Sequence, residues 1–156
     1  MAVGRGAGLI PFSVPSLSFP RSRRLTHARE YQGVYAHRLR AVRGPMTISI
    51  RPNDLPHWRL GLAVSRRAGT AVARNRAKRL TREAFRHAQH GLPLWMSTDK
   101  NTDRGGGPVA RGYDAVVSFH GTEALLAMTL EQCRGWLEGL AAELHAKSSK
   151  RRERGS

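Results

Sequence analysis

A single cysteine, Cys133, stands among the 156 residues, which excludes an internal disulfide framework and any cysteine-rich zinc site. A reducing, cytoplasmic setting is expected. Acid is also scarce, with 11 Asp and Glu against 27 Lys and Arg. Glu30, Asp54, Glu83, Asp99, Asp103 and Asp114 are scattered, with no DxD or ExK pattern. A protein that hydrolyses phosphodiesters unaided needs clustered carboxylates for metal or a histidine pair for acid–base work. His87 and His90 lie three apart near an expected helix end, but they lack a third ligand and suit surface positions. No apolar run approaches the roughly 18 residues of a membrane span. Cys133 has no nearby base in sequence and reads as a small helix residue.

What the chain has instead is positive charge, a formal +16 with a pI near 11.7. A polyanion is the expected partner. Of the 27 basic residues 23 are Arg, and the planar guanidinium suits phosphates and base edges better than simple attraction to a membrane surface. One core fits this length. The expected partition is a disordered extension over 1–22, a folded domain over 23–146 with a flexible loop at 92–112, and a disordered basic tail over 147–156. Met1 to Arg24 has four Arg and no acid, the composition of a transit peptide, but Pro11, Pro15 and Pro20 break any amphipathic helix. A start codon further in would also explain it.

Order is expected to begin near Arg24. Thr26 can cap a helix to about Leu39 in which Tyr31, Val34 and Tyr35 share one face. Met46 to Ile50 alternates as a half-buried strand, and Pro52, Asn53, Asp54 and Pro56 mark a turn. Leu60 to Ser65 is a second strand. Thr70 then caps a helix that Gly91 and Pro93 end. After the Gly-rich stretch 92–112, in which Trp95 and Met96 could pack back on the core, Tyr113 to Phe119 reads as a third strand. Thr129 with Gln132 forms a capping-box start for a helix through about Ala146, with Leu130, Trp136, Leu137, Leu140 and Leu144 on its apolar side. The fold class is α+β, an α/β sandwich with a small central sheet packed by helices.

The densest signal is RNRAKRLTREAFR, Arg74 to Arg86, with six basic side chains and one acid, Glu83. On a helix Ala73, Ala77, Leu80, Thr81, Ala84 and Phe85 gather on one apolar arc, while Asn75, Arg76, Lys78, Arg79, Arg82 and Arg86 fill most of the other side, with Arg74 on the seam. Such a helix can lie along a phosphate backbone. The alternative is a solvated basic face without a partner, where like charges repel.

The block LGLAVSRRAGTAVARNRAKRLTREAFR, Leu60 to Arg86, resembles the strand, basic turn and RNR signature helix of the bacterial ribonuclease P protein component. REYQGVY at 29–35 is similar to that family's first helix, and YDAVV to the strand after the signature helix, so the resemblance runs from about Arg24 to Leu144. It implies a left-handed crossover through the signature helix and a protein that helps a catalytic RNA remove the 5′ leader of precursor tRNA. It further implies that Arg74, Asn75, Arg76, Lys78, Arg79, Arg82 and Arg86 face the RNA subunit. Tyr31, Tyr35, Ser65, Arg66 and Arg67 would line a groove for single-stranded leader. Tyrosine rings can stack on unpaired bases, or the same two rings can belong to the core. The implied partners are ribonuclease P RNA and precursor tRNA, with no obligate protein partner, and magnesium is expected mainly on the RNA. Two departures stand out. Phe119, His120 and Gly121 replace the Lys or Arg usual after the last strand, and the 92–112 loop is long. Composition alone also accommodates a structural, ribosome-associated RNA-binding protein.

Overall fold

The computed structural model describes residues 19–98 and 107–155. In chain order its elements are α1 (Ala28–Ala36), β1 (Arg40–Arg43), β2 (Met46–Pro52), β3 (Arg59–Leu62), α2 (Ala71–Ala88), β4 (Trp95–Ser97), β5 (Val109–Arg111), β6 (Tyr113–Phe119), α3 (Thr122–Ala127) and α4 (Leu130–Gly155). The main sheet has the spatial order β1–β2–β6–β3, and β4 with β5 makes a separate ribbon. Neighbours are antiparallel except β3 and β6, which run parallel with Leu60 opposite Ala115 and Gly61 opposite Val116. A parallel pair requires a crossover, and α2 lies on it.

Side-chain alternation divides the sheet into two unlike faces. Met46, Ile48, Ile50, Leu60, Ala115, Val117 and Phe119 enter the main core, where they meet α2, α3 and α4. The arc expected on α2 is the buried one: Ala73, Ala77, Thr81, Ala84 and Phe85 are covered and Leu80 packs at the margin. Across from it, α4 buries Cys133, Leu137, Leu140, Ala141 and Leu144, and burial pushes the Cys133 thiol up. The other sheet face is mostly polar. There α1 rests on a small cluster of Leu25, Val34 and Val116, with Tyr31 and Ala63 beside it.

A carboxylate fixes α1 to this polar face. Asp114, fully buried, accepts hydrogen bonds from Arg59 Nε at 2.8 Å, Arg59 Nη2 at 2.7 Å and Asn53 Nδ2 at 2.9 Å. Arg51 approaches it at 3.4 Å. The same Arg59 reaches Glu30 at 2.7 Å, and Glu30 Oε1 accepts the Thr26 and His27 N–H groups at the start of α1. The helix therefore begins at Ala28 behind His27, and the Glu30 carboxylate does the capping expected of the Thr26 side chain.

Several expectations need correction. The extension expected over 1–22 is ordered from Phe19, whose ring meets Phe85 at 5.2 Å while Arg24 lies over it; residues 1–18 lie outside the described residues. The 92–112 loop is paired at its two ends, Trp95 opposite Arg111 and Ser97 opposite Val109, and Trp95 Nε1 donates to Gly112 O at 2.8 Å; residues 99–106 lie outside the described residues. The tail expected over 147–156 continues α4 to Gly155. Ser148 prolongs the buried stripe one turn beyond Leu144, and Arg152 binds Ser148 Oγ at 2.9 Å and lies 5.0 Å from the Trp95 ring centre. Basic residues also suit a helix C-terminus.

Asp114→Asn should lower the unfolding free energy at neutral pH by on the order of 3 kcal/mol, because Arg59 loses the buried one of its two carboxylate partners. Burial alone raises this carboxyl, but hydrogen bonds from Arg59 and Asn53 and the charges of Arg59 and Arg51 outweigh it and hold the group below the ordinary range. Its contribution is complete above about pH 4 and is lost as pH falls through the lowered folded value. Urea titrations should show the gap between wild type and variant closing below about pH 4; a constant gap at the acid end would refute the charge-based account.

Candidate nucleic-acid interface

The basic helix is set by its first turn: Thr70 Oγ1 accepts the Ala73 N–H at 3.1 Å. Alanines on its inner side let it sit close to the core, so the long cationic side chains start near the surface and reach outward. Asn75, Arg79 and Arg82 are exposed, whereas Arg74, Arg76, Lys78 and Arg86 are half-buried. Arg76 Nη2 donates to Met128 O at 2.9 Å, which ties α2 to the start of α4. The Nε groups of Arg74 and Arg76 are buried without a hydrogen-bond partner. Arg86 pairs with Glu83, which also meets His87 at 3.2 Å. Hydrogen bonding from Arg86 holds the Glu83 carboxyl below its usual range. The charge of Arg86 is thus largely compensated, while Arg79 and Arg82 have no partner among the described residues.

The two tyrosines of α1 occupy different surroundings. Tyr31 lies flat on β3, where Gly61 has no side chain; a Cβ there would stand 2.8 Å from two ring carbons. Its hydroxyl accepts the Leu62 N–H at 3.2 Å and lies 3.5 Å from Leu25 O. Tyr35, one turn later, is 48 % exposed. It walls a cleft of about 390 Å³ with Arg38, Leu39, Arg40, Thr47, Ser49 and Ser118. Partial burial, and then the neighbouring Tyr31, pushes its phenol up, so it remains a neutral donor at physiological pH.

A smaller, separate groove of about 150 Å³ lies at the β3 edge: Arg24, Leu25 and Tyr31 line it with Lys78 and Arg82 of α2. The signature helix and the first helix therefore meet at Tyr31. Ser65, Arg66 and Arg67 line neither groove; they stand exposed on the turn between β3 and α2. That turn follows Ala63, whose N–H donates to Val117 O at 2.9 Å, so it lies at the Ser118 end of the sheet. His120 is exposed just past β6. Sequence reading missed Arg38, Arg40, Thr47, Ser49 and Ser118. The available signal was alternation, which puts Thr47, Ser49 and Ser118 on the face opposite Ile48 and Val117. Among the described residues no group of three or more His, Cys, Asp or Glu side chains is placed to hold a metal ion.

The family model described as Ribonuclease P matches residues 19–139. The ribonuclease P protein component of Vibrio vulnificus is 49% identical over 77 residues, 49% of this chain and 65% of that protein. That of Methylococcus capsulatus is 49% identical over 75 residues, 47% of this chain and 59% of that protein. The match therefore spans less than two thirds of the length of these relatives. The solved RNase P protein from Thermotoga maritima superposes with a TM-score of 0.59 at 24% identity, covering 76% of this chain and 94% of the other. The Staphylococcus aureus RNase P protein gives 0.55 at 22%, covering 81% and 92%. At these identities the structures show a shared fold.

The contrast between the tyrosines has a direct check. Tyr31→Phe should cost about 1 to 2 kcal/mol of stability, since the Leu62 N–H loses its acceptor in a half-buried place. Tyr35→Phe should leave stability unchanged. Denaturant titration of both variants decides; equal costs would refute the division of roles.

Proposed function

The chain belongs to the ribonuclease P protein family, and on that premise we propose that it is the protein subunit of a ribonuclease P. In this reading it binds the catalytic RNA through α2 and the 5′ leader of precursor tRNA through the Tyr35 cleft, and so assists removal of the leader. The observation that carries the reading is that α1 serves two recesses: Tyr31 shares a groove with Lys78 and Arg82 of α2 at the β3 edge, and Tyr35, one turn on, walls an aromatic, hydroxyl-lined cleft.

The roles follow from the chemistry of each group. Asn75, Arg79 and Arg82 face phosphates of the RNA subunit, and Arg74, Arg76 and Lys78 add field and, for Arg76, a fixed orientation on α4. Arg86 contributes less, because Glu83 already balances it. In the cleft Tyr35 stacks on an unpaired base, which favours no particular sequence. Arg38 and Arg40 attract the backbone, and Thr47, Ser49 and Ser118 offer hydroxyls that donate or accept. Ser65, Arg66 and Arg67 extend the cationic rim between cleft and α2. Tyr31 shapes the junction and holds β3. Mature tRNA has no leader to fill the cleft, so the protein favours substrate over product.

In this reading magnesium is held mainly by the RNA, whose phosphate oxygens are the hard ligands it prefers. Cations supplied by α2 reduce repulsion between RNA segments and lower the magnesium concentration that the complex needs. Cytoplasmic residence accords with that role. No helix among the described residues is long and apolar enough to cross a membrane.

The deciding experiment is precursor-tRNA cleavage at low magnesium by a bacterial ribonuclease P RNA with the chain, without it, and by the chain alone. Correct 5′ cleavage that needs both components is expected; cleavage by the chain alone, or RNA binding that never assists cleavage, would overturn the reading. Within it, Arg79→Ala with Arg82→Ala should weaken RNA-subunit binding and flatten its logarithmic salt dependence by roughly one unit per lost phosphate contact. An unchanged slope would exclude direct contact. Tyr35→Ala should weaken precursor binding by about 1 to 3 kcal/mol and leave mature tRNA binding as it was; equal losses would exclude leader stacking.

A further inference from the structure

We propose that the last turns of α4 prolong the leader cleft and hold the phosphates of leader nucleotides that lie beyond those seated at Tyr35. The inference rests on the assignment of that cleft to the leader. Its starting point is that α4 stays helical through Gly155, past its last apolar core residue, Leu144. Helix continued without apolar burial needs other anchors, and two arginines supply them. Arg152 turns inward to Ser148, Ser149 and the Trp95 ring. Arg151 reaches across to the end of α1, where Nη1 donates to His37 O at 2.6 Å and Nη2 to Arg38 O at 3.0 Å.

Arg38, whose carbonyl Arg151 holds, lines the Tyr35 cleft, so this contact lies at its rim. Beyond the rim lies a second groove of about 320 Å³, lined by Leu39, Lys147, Lys150, Arg151 and Arg154. Leu39 is a wall of both grooves, so the two adjoin across Leu39 and the Arg38–Arg151 contact. Positions 147, 150, 151 and 154 fall on one helix face by i, i+3, i+4 and i+7 spacing. No carboxylate lines this groove. Lys147 is paired with Glu143 at 3.2 Å and Arg151 is occupied by backbone carbonyls, whereas Lys150 and Arg154 have no partner among the described residues. Like charges stacked on one helix face repel each other unless a polyanion lies along them. Aromatic stacking at Tyr35 followed by a cationic track is the arrangement that single-stranded nucleic acid requires.

A strand leaving the cleft past Leu39 meets Lys150 and Arg154 next, so the gain from this track depends on leader length. The experiment uses the full chain assembled with ribonuclease P RNA, and compares precursors carrying leaders of about 4 and about 12 nucleotides with mature tRNA. Wild type should bind the long-leader precursor more tightly than the short one. Lys150→Ala with Arg154→Ala should abolish that advantage and reduce the salt slope for the long leader by about 0.7 per lost contact. Short-leader binding, mature tRNA binding and thermal unfolding should stay at wild-type values. A leader-length advantage that survives the double substitution, or is absent from wild type, would overturn the proposal. So would equal losses for both leaders, which would place the helix end on the RNA subunit. If the wild-type complex fails to cleave precursor or to prefer it over mature tRNA, the assignment of the cleft itself falls, a result separate from any of these.

Discussion

The buried carboxylate of Asp114 organises everything on the α1 side of the sheet. It takes hydrogen bonds from Arg59 and Asn53, and Arg59 passes the connection on to Glu30 at the start of α1. Such a network adds less to stability than a well-packed apolar core of the same volume, but it fixes orientation, because Asp114 and Arg59 each satisfy several directed partners at once. The apolar cluster joining α1 to the sheet is small: Leu25, Val34 and Val116. A helix attached through charge at one end and a small apolar patch in its middle leaves the sheet beyond it uncovered. The uncovered part is where Tyr35, Ser49, Thr47 and Ser118 make the cleft, so the electrostatic anchor is the reason that the cleft exists.

On the other side the determining choice is side-chain size. Alanines at 73, 77, 84 and 88 are buried against the core, which brings the α2 backbone close to the sheet and to α4. Arginines on the remaining arc can then cover apolar surface with their stems and still present guanidinium groups to water. Larger residues on the inner arc would move the helix outward and detach Arg76 from Met128 O. The spacing between α2 and the β3 edge, and hence the small groove shared by Lys78, Arg82 and Tyr31, follows from those alanines.

Much of this was legible from residue patterns. Tyr113 to Phe119 reads as a strand and is β6 at its observed bounds, Thr70 and the apolar arc located α2, and Thr129 with Gln132 located the start of α4, where each binds the other's backbone at 3.1 Å. Edges were harder to read. In β1 only Ala41 of four residues is buried, so there is no alternation to detect, and its pairing comes from β2. The β4–β5 ribbon is held by Trp95 against Gly112 O and by Arg152 from α4, contacts that join distant parts of the chain. Helix α4 outlasts its apolar period for the same reason. Tyr31 and Tyr35 look equivalent by spacing, and only the opposed Gly61 gives one of them a strand to lie on. The cleft hydroxyls had no motif, because their grouping depends on which strands are neighbours.

The distribution of acid explains why the uncompensated charge of a strongly basic chain is local rather than uniform. Glu30 and Asp114 are committed to the internal network. Glu83 balances Arg86, Glu138 balances Arg134, and Glu143 lies between Arg43 and Lys147. Each of these pairs removes a cation from the long-range field. Among the cations without an acidic partner, Arg79 and Arg82 stand together on α2 and Lys150 and Arg154 together at the end of α4. Uncompensated charge decides how a polyanion approaches, since it sets the counterions released on contact, while compensated arginines such as Arg59 and Arg86 serve structure. The few acids therefore act as a map: their partners serve structure, and the basic residues they leave unpaired include Arg79 and Arg82 on α2 and Lys150 and Arg154 at the end of α4.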